Sequence, residues 1–287
     1  MEFPFTLGRA GWLLLAAAAL SGQEPAPAVL ENTGKPMTIP FQCTEEDMQW
    51  AGMSCTEDEP CPMYFELTAA QAIGDKIFAA GNLHSNTVTL YSILLGTEDT
   101  GKTWREVHAR IRGAGLDHIQ FADFVNGWVS GEALSPLPQD PFLLITTDGG
   151  KTWRQQAVFS ENQPGSIQQF FFASRNAGNL IIDRGEGSED ERYALYESPN
   201  GGDTWIVKQL SNKPLRLPRP PEPEVNWRVQ PDRQAFRIER RQAERWIPAA
   251  SFAVSAGACK PLPLESRPPE EPAPAPPPPP PSRRPRR

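Results

Sequence analysis

The residues of this chain that could bind a polar ligand are spread over its middle part, outside the long apolar runs. They are basic, acidic and imidazole side chains, and we predict binding roles for His84, Arg110, Arg112, His118, Asp140 and Arg184. His108, Asp117 and Asp190 fall in similar polar segments. Such groups can bind a polar ligand or a peptide, but only if the fold brings them to one surface.

The strings that mark common catalytic and metal sites do not occur in the sequence. There is no nucleophile elbow, no HExxH string and no phosphate-binding loop. The four cysteines, Cys43, Cys55, Cys61 and Cys259, include no CxxC pair, and no histidine lies near the first three, so a zinc site is not expected. We therefore predict no catalytic residue, no metal and no cofactor.

A repeated string determines how the fold must position these residues. It reads TEDTGKTW at 97–104, TTDGGKTW at 146–153 and SPNGGDTW at 198–205. The closing tryptophans, Trp104, Trp153 and Trp205, lie 49 and 52 residues apart. Self-similarity at a period of about 50 residues indicates a repeat architecture.

Each string has the chemistry of a tight turn between two strands. Its Ser or Thr and its Asp or Asn can accept hydrogen bonds from nearby backbone N–H groups, and its Gly supplies a positive φ. Apolar runs precede the strings at 89–96, 141–146 and 193–197, so each unit predicts a β-hairpin. The predicted structural residues are Thr97, Asp99, Gly101, Trp104, Thr146, Asp148, Gly150, Trp153, Ser198, Asn200, Gly202 and Trp205.

These strings resemble the Asp-box, or BNR repeat, of sialidase-like β-propellers, and FVNGWVSG (124–131) resembles the units of propellers of the photosystem II assembly-factor type. The resemblance implies that each box joins the third and fourth strands of a blade and that its Asp is structural. Sialidase-like sites use an arginine cluster, a Tyr nucleophile with a Glu, and an acidic Asp. Here Tyr91, Tyr193 and Tyr196 lie in or beside apolar strands, where a packed Tyr is expected. The units are also too few for a six-bladed sialidase.

The whole pattern predicts an all-β fold, a small or incomplete β-propeller of about four four-stranded blades at 63–109, 110–159, 160–211 and 225–258. The fourth unit keeps Trp246 but has Arg241 and Ala243 in the box positions. An amphipathic helix through 237–246 is the alternative there, and the repeat favours strands. A closed ring and an open arc both remain possible.

Both ends of the chain predict segments outside this core. Residues 1–22 carry Arg9 and an apolar run at 12–20, which is typical of a secretory signal peptide; a buried helix is the alternative. Residues 23–62 are expected to be irregular. Residues 259–287 form a Pro-rich tail closed by four arginines, expected to be disordered and to act as a spacer or to touch an anionic surface. We expect a secreted, periplasmic or cell-envelope protein without a transmembrane anchor after signal cleavage.

In an exported protein an even number of cysteines favours disulfides. Three pairings are possible for four cysteines. We expect one local bridge among Cys43, Cys55 and Cys61, with the remaining cysteine reaching Cys259 and joining the two ends of the repeat array. The net charge of −7 argues against nucleic acid, which leaves a protein or glycan ligand in the cell envelope.

The order of strands places the box turns at one end of the fold and the longer loops, with the predicted binding residues, at the other. Because function is usually carried by loops on a rigid scaffold, we expect a ligand at the longer-loop end. The leading hypothesis is an exported, non-catalytic propeller that serves as a binding or assembly scaffold. The alternatives are a glycoside-active enzyme of degenerate sialidase type and a structural envelope protein that acts through its tail.

Overall fold

The computed structural model describes residues 28–134, 137–186, 191–217 and 226–261. The predicted signal peptide, and the tail from residue 262 onward, lie outside this part of the chain. The all-β prediction is confirmed: one short helix accompanies the strands. No helix among the described residues is long and apolar enough to cross a membrane.

Short strands make up almost all of the described secondary structure. In chain order they are β1 (Leu30–Glu31), β2 (Cys61–Ile73), β3 (Lys76–His84), β4 (Thr89–Thr97), β5 (Thr103–Glu106), β6 (Ala114–Phe121), β7 (Gly127–Leu134), β8 (Pro138–Thr146), β9 (Arg154–Ala157), β10 (Ser166–Phe172), β11 (Gly178–Asp183), β12 (Tyr193–Ser198), β13 (Ile206–Ser211), β14 (Trp227–Pro231), β15 (Ala235–Gln242), β16 (Arg245–Ala253) and β17 (Ser255–Cys259). Helix α1 spans Glu45–Trp50.

These strands form four antiparallel sheets. The second sheet (β6–β9) and the third (β10–β13) are four-stranded meanders, and the first has the order β1-β5-β4-β3-β2-β17. The fourth sheet has only β14, β15 and β16, which confirms strands rather than a helix over 237–246. It lacks the fourth strand that the repeat predicts, because β17 turns away and pairs with β2, with Cys259 opposite Cys61.

The three box turns have the hydrogen bonds that their residue types predict. In the first, Asp99 accepts from the backbone N–H groups of Lys102 (3.0 Å) and Thr103 (2.9 Å). Asp148 repeats both bonds in the second turn, and Asn200 accepts from Thr204 N–H in the third. Bonds from the Thr152 side chain and backbone lower the pKa of Asp148 to about 2. These residues shape turns, as expected.

The sheets pack in the order fourth, first, second, third. One core joins the fourth and first sheets, a second core joins the first and second, and a third joins the second and third. Each box tryptophan packs toward the preceding sheet of this order, as Trp104 does on Phe252 (5.3 Å between ring centroids) and Trp153 on Phe78 (5.8 Å). In the described part of the chain no core joins the third and fourth sheets, so the propeller is an open arc.

Side-chain amides link the inner strands of neighbouring sheets. We call the face that a sheet turns toward the next sheet of the order its forward face. On the forward face of the first sheet, Gln71 accepts from Phe121 N–H of β6 (2.8 Å). On that of the second sheet, Gln120 accepts from Phe172 N–H of β10 (2.8 Å) and donates to its carbonyl (2.9 Å).

A second contact of the same kind lies toward the longer-loop end. Asn82 accepts from Leu116 N–H (2.8 Å) and donates to Leu116 C=O (3.2 Å). In the second sheet the equivalent position is Glu132, which accepts from Ile167 N–H. The first and second sheets therefore each bind the backbone of the next inner strand at two points.

The N-terminal segment, expected to be irregular, holds helix α1 and fixes the first sheet to the fourth. Thr44 and Asp47 cap the helix reciprocally (Asp47 N–H to Thr44 Oγ1, 3.1 Å; Thr44 N–H to Asp47 Oδ2, 3.0 Å), which is why so short a helix forms. Met37 exchanges backbone hydrogen bonds with β16 at Ser251 and Ala253. The prediction of two disulfides is confirmed: Cys55 bonds Cys61, and Cys43 bonds Cys259.

Candidate functional site

Two of the arginines predicted to bind a ligand hold the N-terminal segment instead. Arg112 donates to Glu46 (2.6 Å) and lies 3.3 Å from Asp47, whose carboxylate also accepts from the Tyr91 hydroxyl. Arg110 donates to Glu106 (2.9 and 2.6 Å) and to the carbonyl of Pro40 (2.7 Å). Both guanidinium groups have partners within the chain, so neither is free to bind a ligand without releasing one.

The other predicted binding residues lie on different strands at the longer-loop end. His84 packs against Tyr64 with the two rings tilted and their centroids 5.7 Å apart, and His118 is exposed in a bulge of β6. Asp140 has a positive φ and accepts from Gln163 N–H (3.0 Å), and Arg184 donates to the Tyr196 hydroxyl (3.1 Å). His108, beside Ala109 O, is close to the outer strand of the first sheet, and Asp190 lies outside the described residues.

A cleft of about 580 Å³ lies at the opposite end, on the side of the box turns. We call it the central cleft, because it is lined by the inner strands of the first three sheets: residues 70–71 of β2, 119–122 of β6 and its turn, and 170–173 of β10 and its turn. These are the last residues of each inner strand, where the strands approach their turns. The inter-sheet contacts of Gln71 and Gln120 form part of its lining.

The central cleft has a mixed lining of apolar side chains and polar amide and backbone groups. Ile119, Phe170 and Phe171 are half-buried and line it, and none of its lining residues is charged. Gln120 uses both ends of its amide on Phe172, whereas the amide N–H groups of Gln71 have no partner among the described residues. Such a lining suits apolar side chains with an occasional hydrogen bond, which is the usual composition of a ligand pocket.

An exposed apolar pair lies beside the cleft. Phe124 is 72% exposed and Val125 is 46% exposed, at the tip of the turn that follows Ala122 of the cleft wall. The turn is rigid, since Asp123 accepts from the N–H groups of Val125 and Asn126 at 2.7 Å each. Bonds from Asn126 and Val125 also hold the pKa of Asp123 below its ordinary value. Large apolar side chains held out into water are typical of interaction surfaces.

Two acidic side chains near the longer-loop end have raised pKa values. Burial, together with the neighbouring carboxyl of Asp117, raises the pKa of Glu132 to about 8, although the bond from Ile167 N–H acts against this. Burial and the nearby Glu66 also raise the pKa of Asp117, and His118 opposes them. Glu132 is only 7% exposed and belongs to the contact between the second and third sheets, so its protonation bears on stability.

We expect Glu132→Gln to stabilise the fold at pH 8 and to flatten part of its pH dependence. The folded pKa of Glu132 is raised, so the wild-type contact is favoured below about pH 4.5 and is lost as the pH rises through about 8. An amide stays neutral throughout and matches Asn82 at the equivalent position. The free energy of unfolding at pH 8 should rise by something on the order of 3 kcal/mol.

Urea unfolding of both proteins between pH 4.5 and 8.5 measures this effect. The difference between the two curves should grow as the pH rises, since at the acid end both side chains are uncharged. Glu31→Gln, at an exposed position of β1, is the control and should leave the pH dependence unchanged. Parallel curves for wild type and Glu132→Gln would contradict the assignment.

No group of His, Cys, Asp and Glu within the described ranges is arranged to hold a metal ion. The lining of the central cleft offers apolar and amide groups. Binding by shape and hydrogen bonds is what such a lining can do.

The sequence contained a signal for the cleft that residue type alone did not reveal. Gln71, Gln120 and Phe171 occupy the same register. Each pairs with a residue on the second strand of its unit, and that residue pairs in turn with the one directly before the Thr or Ser of the box. Gln71 and Gln120 are 49 residues apart, as are Trp104 and Trp153. Aligning the first two units on their box tryptophans brings Gln71 and Gln120 together, whereas Phe171 lies one residue further from Trp205 and is equated with them only by the strand register.

Comparison with known proteins adds little beyond this geometry. No family model and no curated protein matches the sequence. Two solved structures are similar: "YCF48 bound to D1 peptide", 19% identical over 66% of this chain and 54% of that chain with a TM-score of 0.37, and "YCF48 from Cyanidioschyzon merolae", 18% identical over 69% and 56% with a TM-score of 0.33. The chain thus matches only about half the length of either. The sheets themselves define its class, a small, open β-propeller.

Proposed function

We propose that this protein is an exported, non-catalytic scaffold that binds a segment of a partner protein in the central cleft. The observation that carries the proposal is the cleft itself, about 580 Å³ of space lined by half-buried apolar side chains on three rigid inner strands. A volume of that size falls within the range of ligand sites and accommodates several apolar side chains of a peptide.

The chemistry of the lining favours binding over catalysis. General acid–base or nucleophilic catalysis needs a titratable or nucleophilic group within reach of the substrate. The cleft presents alanine, isoleucine, phenylalanine and glutamine side chains. At the longer-loop end, Arg110 and Arg112 are bonded to Glu106, Pro40, Glu46 and Asp47, which argues against an arginine cluster for a sugar carboxylate.

Export is supported by the cysteine chemistry. All four cysteines are in disulfides, and such bonds persist in oxidising compartments such as the periplasm or the extracellular space. A partner exposed in the cell envelope fits this location. The predicted signal peptide is consistent with the same route.

Selection of peptides on the oxidised, full-length chain tests the function. A phage-displayed library of random peptides of roughly twelve residues, long enough to cross a groove in extended form, should yield apolar sequences that bind. Their affinity should fall in the Phe171→Ala variant, which removes an aromatic ring from the cleft. It should be unchanged in His84→Ala, a position at the longer-loop end that is half-buried, as Phe171 is.

The reverse pattern, with binding lost in His84→Ala and kept in Phe171→Ala, would move the site to the longer-loop end. An absence of selected peptides would overturn the proposal. Turnover of a glycan panel, abolished by either substitution, would overturn its non-catalytic part.

A further inference from the structure

The boundary between the first and second sheets is closed at the box-turn end by a lysine and a shared carboxylate. Lys76 of β3 donates to Gly149 C=O of the second box turn (2.9 Å), so its side chain spans the boundary. Glu98 of the first box lies 3.4 Å from the ammonium of Lys76 and 3.8 Å from the guanidinium of Arg105. One carboxylate thus serves two cations at this boundary.

The boundary between the second and third sheets lacks both of these side chains. Asn126 takes the place of Lys76, because both stand opposite the residue two positions after the aligned glutamines of β2 and β6. The amide of Asn126 turns back to the carboxylate of Asp123 (2.8 and 3.0 Å) and does not span the boundary. Thr147 takes the place of Glu98 in the aligned boxes, so the shared carboxylate is missing.

A pocket of about 360 Å³ lies where these side chains would be. We call it the boundary pocket, and its polar lining residues are Thr147, Arg154, Arg175, Asn176, Asn200 and Asp203. They come from the second and third box turns, from the start of β9 and from the turn before β11. None of them lines the central cleft.

The charges of the boundary pocket favour an anion. Arg154 is paired with Asp203 across the boundary. The exposed guanidinium of Arg175 makes no hydrogen bond or ion pair within the described part of the chain, and it acts on Asp123 only through its charge. Two arginines and one carboxylate leave one surplus positive charge in the lining. Arginine presents several N–H donors in a planar fork that matches a carboxylate, so a carboxylate is the anion that fits.

The uncharged part of the lining suits hydroxyl groups. The side chains of Thr147 and Asn176 are exposed and form no hydrogen bond with any described residue. Asn200 accepts from Thr204 N–H through Oδ1 (3.0 Å), which leaves its amide N–H groups for a ligand. The second box has Asp148 at this position, so the asparagine also removes a negative charge. Amides and hydroxyls can both donate to and accept from a ligand hydroxyl.

We propose that the boundary pocket binds a small hydroxylated carboxylic acid, about the size of one sugar-acid residue. Its carboxylate supplies the charge that Glu98 supplies at the first boundary and bonds to Arg175 beside Arg154. Its hydroxyl groups bond to the amides of Asn176 and Asn200. The volume of about 360 Å³ lies within the range of small-molecule sites. This site does not depend on the central cleft and stands whether or not a partner segment binds there.

Titration of D-glucuronate into the isotopically labelled, oxidised full-length chain, followed by NMR at constant ionic strength, tests the proposal. Amide shifts are expected at Thr147, Asn176 and Gly201, with a Kd of about 1 mM. Glucose, which lacks the carboxylate, should bind at least about tenfold more weakly, and so should acetate, which lacks the hydroxyl groups. Each loses hydrogen bonds that together are worth roughly one decade of affinity or more.

Protein variants locate the bound acid. Thr147→Glu restores within the chain the carboxylate of the first boundary, so it should weaken glucuronate by about tenfold or more. Arg175→Gln removes the cation and should weaken it by a similar factor. The matched control is Glu98→Thr, which makes the reverse change at the first boundary, and Arg105→Gln removes an exposed arginine outside the pocket. Both controls should leave binding unchanged. Thermal unfolding confirms that each variant is folded.

Absence of any shift up to about 10 mM glucuronate, an affinity too weak for a specific site, would overturn the proposal. Equal binding of glucose or acetate would also overturn it, because the ligand would then need only one kind of group. Equal effects of Thr147→Glu and Glu98→Thr would place the bound acid outside the boundary pocket and contradict the assignment.

Discussion

Removing the Cys43–Cys259 disulfide by double substitution to alanine should lower the free energy of unfolding by about 5 kcal/mol. The bond links residues 216 apart in sequence, and restricting so long a loop removes much of the conformational entropy of the unfolded chain. The matched control is Cys55–Cys61, with a separation of 6, whose removal should cost only about 2 kcal/mol. Guanidinium unfolding of the two double variants and the wild type measures both effects.

The position of the long-range bond adds a structural expectation. It joins the N-terminal segment to β17, in the core shared by the first and fourth sheets. That core and the backbone bonds of Met37 attach the fourth sheet to the rest, so amide exchange should accelerate most in β14, β15 and β16. Equal losses of stability in the two double variants, or exchange that accelerates evenly over all sheets, would show that loop length and position do not govern the effect.

The hairpins could be predicted because their causes are local. Asp99, Asp148 and Asn200 each bond to N–H groups of their own turn, so the residue types alone specify the geometry. The fourth unit could be predicted from the repeat period, although it has lost its box residues. The expected fourth strand of that unit was not predicted correctly: β17 pairs instead with β2, a contact between two segments almost two hundred residues apart.

The candidate site was harder to predict because it depends on contacts between units. Arg110 and Arg112 have the residue types of a binding surface, but the N-terminal segment supplies their partners, and its docking cannot be derived from loop composition. The expectation of an irregular segment at 23–62 missed the helix that Thr44 and Asp47 cap. Phe171 is ordinary as a residue; only its register with Gln71 and Gln120, and the absence of a following sheet among the described residues, give it meaning.

Replacement of Trp128 by alanine should cost about 4 kcal/mol of stability, the usual loss for a large buried aromatic. Its indole stacks on Phe172 with centroids 3.9 Å apart, and its N–H donates to Gly201 C=O of the third box turn (2.9 Å). It is the largest side chain of the core between the second and third sheets. Trp128→Phe keeps the stacking and loses the hydrogen bond, so it should cost about 1–2 kcal/mol.

Chemical unfolding measures these losses, with Trp50→Ala as the control, since Trp50 is partly exposed on α1 and should cost much less. Equal losses for Trp128→Ala and Trp50→Ala would contradict the assignment.

The third sheet packs only on the second within the described chain, so weakening this core should free it before the rest unfolds. Unfolding of Trp128→Ala should therefore depart from a single cooperative transition, whereas Trp128→Phe keeps one. The same variant should bind the selected peptides more weakly, because the cleft wall at Phe171 is rigid only while Trp128 holds the third sheet in place.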